Sequence, residues 1–403
     1  MNLVELGTIL HLEKGKKPLA QSNKQLEGYL PYVDIKAFEK GIIDNYASTE
    51  KSLLCEDGDL LIVCDGSRSG LTGRAIKGVV GSTLSKIYAD GITTEYLRYF
   101  IQSKYTLLNT QKKGTGTPHL NVNLLKSSKI YVQPILEQER IVARIEELFS
   151  ELDSGIETLK KVKEQLGVYR QAVLNDAFQG KFTNHNKINV ELDWEDENSV
   201  SSLPTIPKEW KYISLKYLGD LGRGKSKHRP RNDPALFENG SYPFVQTGDV
   251  KAADKYITCY DKMYGVFGLA QSKLWRKGTL CITIAANIAE TAFLGIDACF
   301  PESVVGFTPS ENVLPEYVRY FIDSQRLRLW AFAPATAQKN INLSTLENLI
   351  VPYCSIAEQH EVIYEIEARM SACDSIQKTV DEILQQSEAL RQSILKKAFE
   401  GRL

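Results

Sequence analysis

"EQERIVARIEELFSELDS" occupies residues 137–154, and "EQHEVIYEIEARMSACDS" occupies 358–375. The two stretches lie 221 residues apart and agree at Glu137, Gln138, Ile145, Glu146, Ser150, Asp153 and Ser154. The agreement continues downstream: "RQAVLNDAFQGKF" (170–182) returns as "RQSILKKAFEGRL" (391–403), and 15 of the 46 positions from 137 to 182 are identical without a gap. Upstream, "EYLRYFI" (95–101) returns as "EYVRYFI" (316–322), and "LNVNLL" (120–125) as "INLSTL" (341–346). A period this long excludes a solenoid and defines a duplicated module of domain size.

The second part of each module reads as one long helix. Ile141, Ile145, Leu148, Leu152, Ile156, Leu159, Val162, Leu166, Tyr169 and Val173 follow steps of three and four, which make one apolar stripe. In the second copy the stripe runs Val362, Ile366, Met370, Cys373, Val380, Ile383, Leu390 and Ile394. Ser355 and Glu358 form a capping-box pattern where the first copy has Pro134, and Gly180 and Gly401 stand where helix C-caps are expected. A rod with one stripe needs a partner, and the other copy supplies it as a coiled coil. The first part of each module is mixed. "GDLLIVC" (58–64) and "GTLCITI" (278–284) read as buried strands, and one amphipathic helix follows near 94–108 and 315–329. The fold class is therefore α+β with a β-rich body. The polar, acidic stretch 183–209 reads as a linker.

The chain has 403 residues, 43% hydrophobic and 25% charged, with a formal net charge of −1. It can bury real cores, and any binding to a polyanion must come from local basic patches. Seven scattered cysteines without a C-x-x-C argue against a disulfide framework or a zinc site. The N-terminus is not a signal peptide, and no apolar run is long enough to span a membrane, so a soluble cytoplasmic protein is expected.

"GDLGRGKS" (219–226) fits the spacing of a phosphate-binding loop. Such a loop must follow a buried strand and open a helix, yet Pro230 and Pro234 stand where the helix would run. The stretch reads instead as a surface loop, with Arg223, Lys225, Lys227, Arg229 and Arg231 available for phosphate contacts on nucleic acid. The first module offers "GTILHLEKGKKP" at the comparable place, with Lys16 and Lys17. Asp34-Ile-Lys36 with Glu27 has the form of a nuclease triplet, but "YLPYVDI" reads better as a strand. His119 and His360 are not matched in the repeat and read as surface residues. Lys112, Lys113 and Asn121 lie in a basic stretch without acids, although Asn342 repeats Asn121, which favours a turn or cap role for both. Arg68 and Arg74 sit among Gly66, Gly70 and Gly73, where a flexible loop can enter a groove and read guanine edges. Lys339 is a further candidate contact.

Two copies of a β-rich domain followed by a long helix resemble the specificity subunit of type I restriction–modification systems. The likeness covers the whole chain, and its most specific parts are "LEQERIVARIEELFSELD", "RQAVLNDAFQGKF", their second copies, and "LPTIPKEWKYISLKYLGDL". The resemblance implies target recognition domains at 1–135 and 210–355 and conserved helical regions at 136–182 and 356–403. It implies a pseudo-twofold, with the helices pairing antiparallel; Ile145, Leu159, Ile366 and Val380 are the expected seam residues. It implies a non-catalytic subunit that binds double-stranded DNA and recruits two methyltransferase subunits and restriction/translocase subunits. The methyl donor, ATP and magnesium then belong to those partners, and this chain binds no cofactor or metal. Because the two recognition domains differ in sequence, the target is expected to be split and non-palindromic. The competing classes are a P-loop hydrolase or nuclease acting on DNA, and a protein-binding scaffold. The stripe is not kept uniformly, since Leu148 is matched by Arg369 and Ile156 by Gln377, which argues against an ideally symmetric seam.

Overall fold

The structure is a computed structural model that describes residues 2–113, 118–183, 203–332 and 340–403. These fold as two compact units, Met1–Lys161 with Val380–Leu403, and Val162–Thr379. Each unit thus contains the start of one long helix and the end of the other, a division that cuts across the linear order of domain and helix. The main elements of the first copy are β1 (Asn2–Glu5), β2 (Leu10–Lys14), β3 (Tyr29–Val33), α1 (Ile35–Lys40), β4 (Leu60–Val63), β5 (Thr72–Arg74), β6 (Gly78–Val80), β7 (Leu84–Ala89), α2 (Thr94–Ser103), α3 (Val122–Lys126), β8 (Lys129–Val132) and α4 (Ile135–Ala177). The second copy repeats them in order as β9 (Lys211–Ser214), β10 (Gly219–Arg223), β11 (Tyr242–Phe244), α5 (Thr247–Ala252), β12 (Leu280–Thr283), β13 (Thr291–Leu294), β14 (Ala298–Cys299), β15 (Val304–Pro309), α6 (Pro315–Phe332), α7 (Leu343–Glu347), β16 (Ile350–Tyr353) and α8 (Ile356–Phe399).

The sheets repeat as well. The main sheet runs β2-β7-β4-β5 in the first copy and β10-β15-β12-β13 in the second, where Tyr256–Ile257 adds an edge strand. A second sheet pairs β3 parallel to β6, and β11 parallel to β14. The central strands β4 and β12 are buried at every position, which is why they read as apolar runs, closed in β12 by the buried Thr283, rather than as alternating ones. Side-chain caps punctuate the helices. Asn121 accepts from the Leu124 amide at the start of α3, and Asn342 accepts from the Thr345 amide at the start of α7. Ser355 and Glu358 exchange hydrogen bonds as a capping box. The long helices end on Gly180 (φ 67°) and Gly401 (φ 70°) in the left-handed conformation.

Three details differ from the pattern in the sequence. The amphipathic helix of the first copy breaks at Lys104 into Thr94–Ser103 and Tyr105–Thr110, whereas its counterpart α6 is continuous. Ile383, Leu390 and Tyr169, all on the expected stripe, are exposed; the buried face includes Leu166, Val173, Leu174 and Ala177 on α4 and Val380, Ile394, Leu395 and Ala398 on α8. The expected linker falls partly at 184–202, outside the described residues; its described end is packed down, with Ile206 buried beside Trp210 in the second unit. Of the four expected seam residues, Ile145 shares the core of the first unit with Leu395 and Ala398, and Ile366 shares that of the second with Val173 and Leu174. Val380 is buried and Leu159 is half-buried.

The ends of each long helix are fixed by a repeated pair of contacts. Gln138 is fully buried; its amide donates to the carbonyls of Gly91 (2.7 Å) and Gln133 (2.9 Å), and its oxygen accepts from the Thr93 amide (2.8 Å). Gln359 does the same for Asn312 (3.1 Å), Cys354 (3.0 Å) and Leu314 (2.8 Å). At the other end, Phe399 packs edge-on against Tyr96 and Phe100 in the first unit, and Phe178 against Tyr317 and Phe321 in the second. Replacing either glutamine by leucine keeps the volume but leaves backbone groups without partners, three for Gln138 and two for Gln359, where the Tyr353 hydroxyl still reaches the Asn312 carbonyl (3.3 Å); each such group costs about 1–3 kcal/mol when buried. Gln138→Leu is expected to destabilise the first unit by at least ~2 kcal/mol, and Gln359→Leu the second. Hydrogen exchange localises the loss. A change below ~0.5 kcal/mol in both variants refutes the clamp.

Candidate nucleic-acid interface

Residues 219–223 of the "GDLGRGKS" stretch form β10, paired antiparallel with β15 from Gly219↔Pro309 to Arg223↔Val305. The stretch is a strand and its exit, not the surface loop expected. The amides that would hold a phosphate are already used: Gly224 donates to Val304 (2.9 Å), Lys225 to Phe300 (3.1 Å) and Lys227 to Gln271 (3.1 Å). The Ser226 hydroxyl is buried against that of Tyr264 (3.4 Å), and the next regular turn is the short 3-10 segment Pro234–Leu236 rather than a helix. The phosphate-loop reading therefore fails on geometry. The glycine has another reason. A Cβ on Gly224 would run into the carbonyl oxygens of Phe300 and Pro301. In the first copy a Cβ on Gly15 would run into those of Val80 and Gly81. Both glycines let a strand leave the main sheet against a second backbone.

Each of these glycines is followed by an exposed lysine, Lys16 in the first copy and Lys225 in the second. Neither they nor Lys17 and Lys227 carry an ion pair among the described residues. The arginines of the same region differ. Arg223 donates to the Glu302 carbonyl (2.7 Å), while Arg229 (3.4 Å) and Arg231 (3.2 Å) reach the Glu302 carboxylate. Burial opposes the charge on Glu302, but a backbone hydrogen bond and the two arginines hold its carboxyl below the usual range. A run free of acids in the sequence is thus partly neutralised by an acid from a distant part of the chain.

In the first copy, Arg74 is bound to Glu95 (2.6 Å) and Arg68 to Glu39. Burial opposes the charge on Glu95, and Arg74 and Arg98 hold its carboxyl below the usual range. Lys112 donates to the Ser67 carbonyl (3.0 Å), Lys113 is exposed, Asn121 is the helix cap described above, and Lys339 lies outside the described residues. His119, expected as a plain surface residue, binds Asp65 (2.7 Å), which also meets Lys14 (2.9 Å). Asp65 is partly buried, yet these two bonds hold its carboxyl below the usual range. The nuclease triplet dissolves in the same way. Asp34 caps α1 by accepting from the Ala37 amide (2.8 Å), and Lys36 is paired with Asp44. Between α1 and the turn at Gly66–Arg68 lies a groove of about 630 Å³, lined by Tyr32, Asp34, Glu39 and Arg68 among others. Sequence reasoning missed Glu39, Glu302 and Asp65, because each meets its partner only across the fold.

The structure thus carries exposed lysines at strand exits of a duplicated domain, and arginines nearby that are paired with carboxylates. The chain matches the type I restriction modification DNA specificity domain over 1–166 and again over 207–386, and it belongs to that family. It is similar to the type I restriction enzyme EcoBI specificity subunit of Escherichia coli, 24% identical over 408 residues, covering 95% of this chain and 82% of the relative. It is also similar to the MjaVIII specificity subunit of Methanocaldococcus jannaschii, 28% identical over 226 residues; that match covers 55% of this chain and 50% of the relative's length. The fold is shared with the HsdS subunit from Thermoanaerobacter tengcongensis, with a TM-score of 0.62 at 19% identity, covering 100% of this chain and 97% of that one. It is shared also with a solved chain of a type I R-M system, with a TM-score of 0.71 at 19% identity, covering 100% and 98%. Among the described residues, no helix is long and apolar enough to cross a membrane.

Gly15→Ala and Gly224→Ala are each expected to cost about 1–3 kcal/mol, because the added methyl meets rigid backbone. Thermal unfolding measures this. Magnesium-ATP is expected to leave the midpoint of the wild-type chain unchanged, since a ligand that binds the native state raises it. A clear rise would restore the phosphate-loop reading.

Proposed function

We propose that this chain is the DNA-reading subunit of a type I restriction–modification enzyme. It recognises a split, asymmetric duplex sequence, one half-site per recognition domain, and itself performs no catalysis. Two methyltransferase subunits and the restriction/translocase subunits assemble on it in this reading and bring the methyl donor, ATP and magnesium. The observation that carries the proposal is the family match to both copies of the module. The failed phosphate-loop and nuclease geometries remove the motifs behind the enzymatic alternative.

The proposed arrangement of the long helices is an antiparallel coiled coil related by a pseudo-twofold. Two constellations support it. In the first unit Arg391 pairs with Asp153 and lies over the Phe149 ring; in the second Arg170 pairs with Asp374 (2.7 Å) and lies beside Met370. Arg391, Asp374 and Met370 are the repeat partners of Arg170, Asp153 and Phe149, so one contact occurs twice with the helices exchanged. Stepping forward on α4 from Asp153 to Arg170 is matched by stepping backward on α8 from Arg391 to Asp374.

Two outcomes test the proposal. Replacing residues 1–130 by the corresponding domain of a relative is expected to change one half-site and leave the other, as read by methylation mapping with the methyltransferase partner. A hybrid in which both halves change together defeats the two-module account. Lys16→Ala and Lys225→Ala are each expected to weaken binding across all sequences and lower the salt slope by about one unit. An unchanged slope removes that lysine from the phosphate contacts.

A further inference from the structure

The hairpin between β4 and β5 and its counterpart between β12 and β13 are built on one frame. Val63 donates to Leu71 and accepts from Gly70 (both 2.8 Å); Thr283 donates to Glu290 (3.0 Å) and accepts from Ala289 (2.8 Å). Each loop has a left-handed residue on either side of its tip, Gly66 (φ 108°) and Gly70 (φ 94°) in one, Ala286 (φ 63°) and Ala289 (φ 60°) in the other. Alanine is strained at such a φ, so the fold imposes this geometry on the second copy even without glycine. Between these points stand Ser67-Arg68-Ser69 in the first copy and Asn287-Ile288 in the second. Ser69 and Ile288 turn inward and are buried. The outward polar side chains that remain are Ser67 and Arg68 in one tip and Asn287 in the other.

A neighbouring helix grips each tip at the same place. Glu39, the fifth residue of α1, pairs with Arg68; Lys251, the fifth residue of α5, donates to the Asn287 side-chain oxygen (3.5 Å). Framework and grip coincide, while the side chains at both ends of the grip differ. We propose that these tips are the base-reading elements of the two recognition domains. Arg68, positioned by Glu39, reads a guanine in one half-site, and Asn287, positioned by Lys251, reads an adenine in the other. This rests on the specificity-subunit reading.

The chemistry selects bases over phosphates. Glu39 cancels the charge of Arg68, so the pair gains little from counterion release, and a carboxylate beside the guanidinium repels phosphate. The guanidinium donors that Glu39 leaves free match the two acceptors, O6 and N7, on a guanine edge. Lysine only donates, so it fixes the Asn287 oxygen toward itself. That oxygen keeps a lone pair for the adenine N6 amine, and the asparagine amide donates to N7.

The test uses the full chain assembled with its methyltransferase partner on DNA of randomised sequence, with methylated positions mapped. Arg68→Ala is expected to relax one guanine position in one half-site, losing roughly 5- to 150-fold discrimination, and to leave the other half-site intact. Asn287→Ala is expected to relax one adenine position in the other half-site. Glu39→Gln is expected to blur the same position as Arg68→Ala and no other. An Arg68→Ala complex that binds all sequences more weakly with a lowered salt slope, or either alanine variant with an unchanged target, overturns the assignment. A wild-type complex that methylates without any two-part sequence overturns both the assignment and the reading beneath it.

Discussion

A buried glutamine at the first turn of each long helix ties that helix to the sheet-bearing domain before it. Gln138 and Gln359 each satisfy three backbone groups at that junction: the amide at the start of α2 or α6, the carbonyl just before it (which in the second copy also accepts from the Tyr353 hydroxyl), and the carbonyl leaving β8 or β16. In an apolar core, an unpaired group of this kind costs more than a made bond gains, so the position tolerates little else. The clamp sets the direction in which α4 and α8 leave their domains. The far ends are then closed by Phe178 and Phe399, which enter aromatic sites made by Tyr317 with Phe321 and by Tyr96 with Phe100. A polar clamp at one end and an aromatic plug at the other explain why glutamine and phenylalanine are identical in the two copies. Between these ends, where Tyr169 on α4 and Ile383 and Leu390 on α8 are exposed, the two copies differ.

What the sequence displayed of this fold is what local chemistry decides. The buried runs at β4 and β12, the asparagine and capping-box starts and the glycine ends were readable because each depends on residues close in sequence, and the repeat because the two copies align at one offset. The strand identity of "GDLGRGKS" was not. Gly219, Gly222 and Gly224 carry no strand preference, and only the pairing with β15 makes β10 a strand. The glycines there answer to neighbours far away in sequence: Gly222 to Trp275 and Gly224 to the carbonyls of Phe300 and Pro301. A motif defined by glycine spacing reports tight backbone approach, and a phosphate is one of several things that can make the approach.

The basic candidates divide along the same line. Counting charges along the chain treats Arg68, Arg74, Arg229 and Arg231 as alike with Lys16 and Lys225. The fold separates them, because Glu39, Glu95 and Glu302 come from elsewhere to meet the arginines. Exposed, unmatched lysines suit contacts that care only about charge. Arginines held in a fixed direction by a carboxylate suit contacts that care about geometry, since the planar fork loses little freedom on forming a second bond.

The two copies also show which surface is under structural constraint and which is free. Backbone bridges join Asp65 to His119 in the first copy and Ala285 to Asn340 in the second, so the chain path is kept although all the side chains differ. In the first copy that path carries an Asp–His–Lys cluster; in the second, Arg223 stands in the place of Lys14 and bonds to a carbonyl instead. A loop whose backbone is held by its own hydrogen bonds and by one buried side chain, Ser69 or Ile288, does not need its outward side chains for folding. Its tip can change from arginine to asparagine, and lose a residue, without disturbing β4 or β12 beneath it. This separation lets one module, copied once, fold twice in the same way and present two different surfaces.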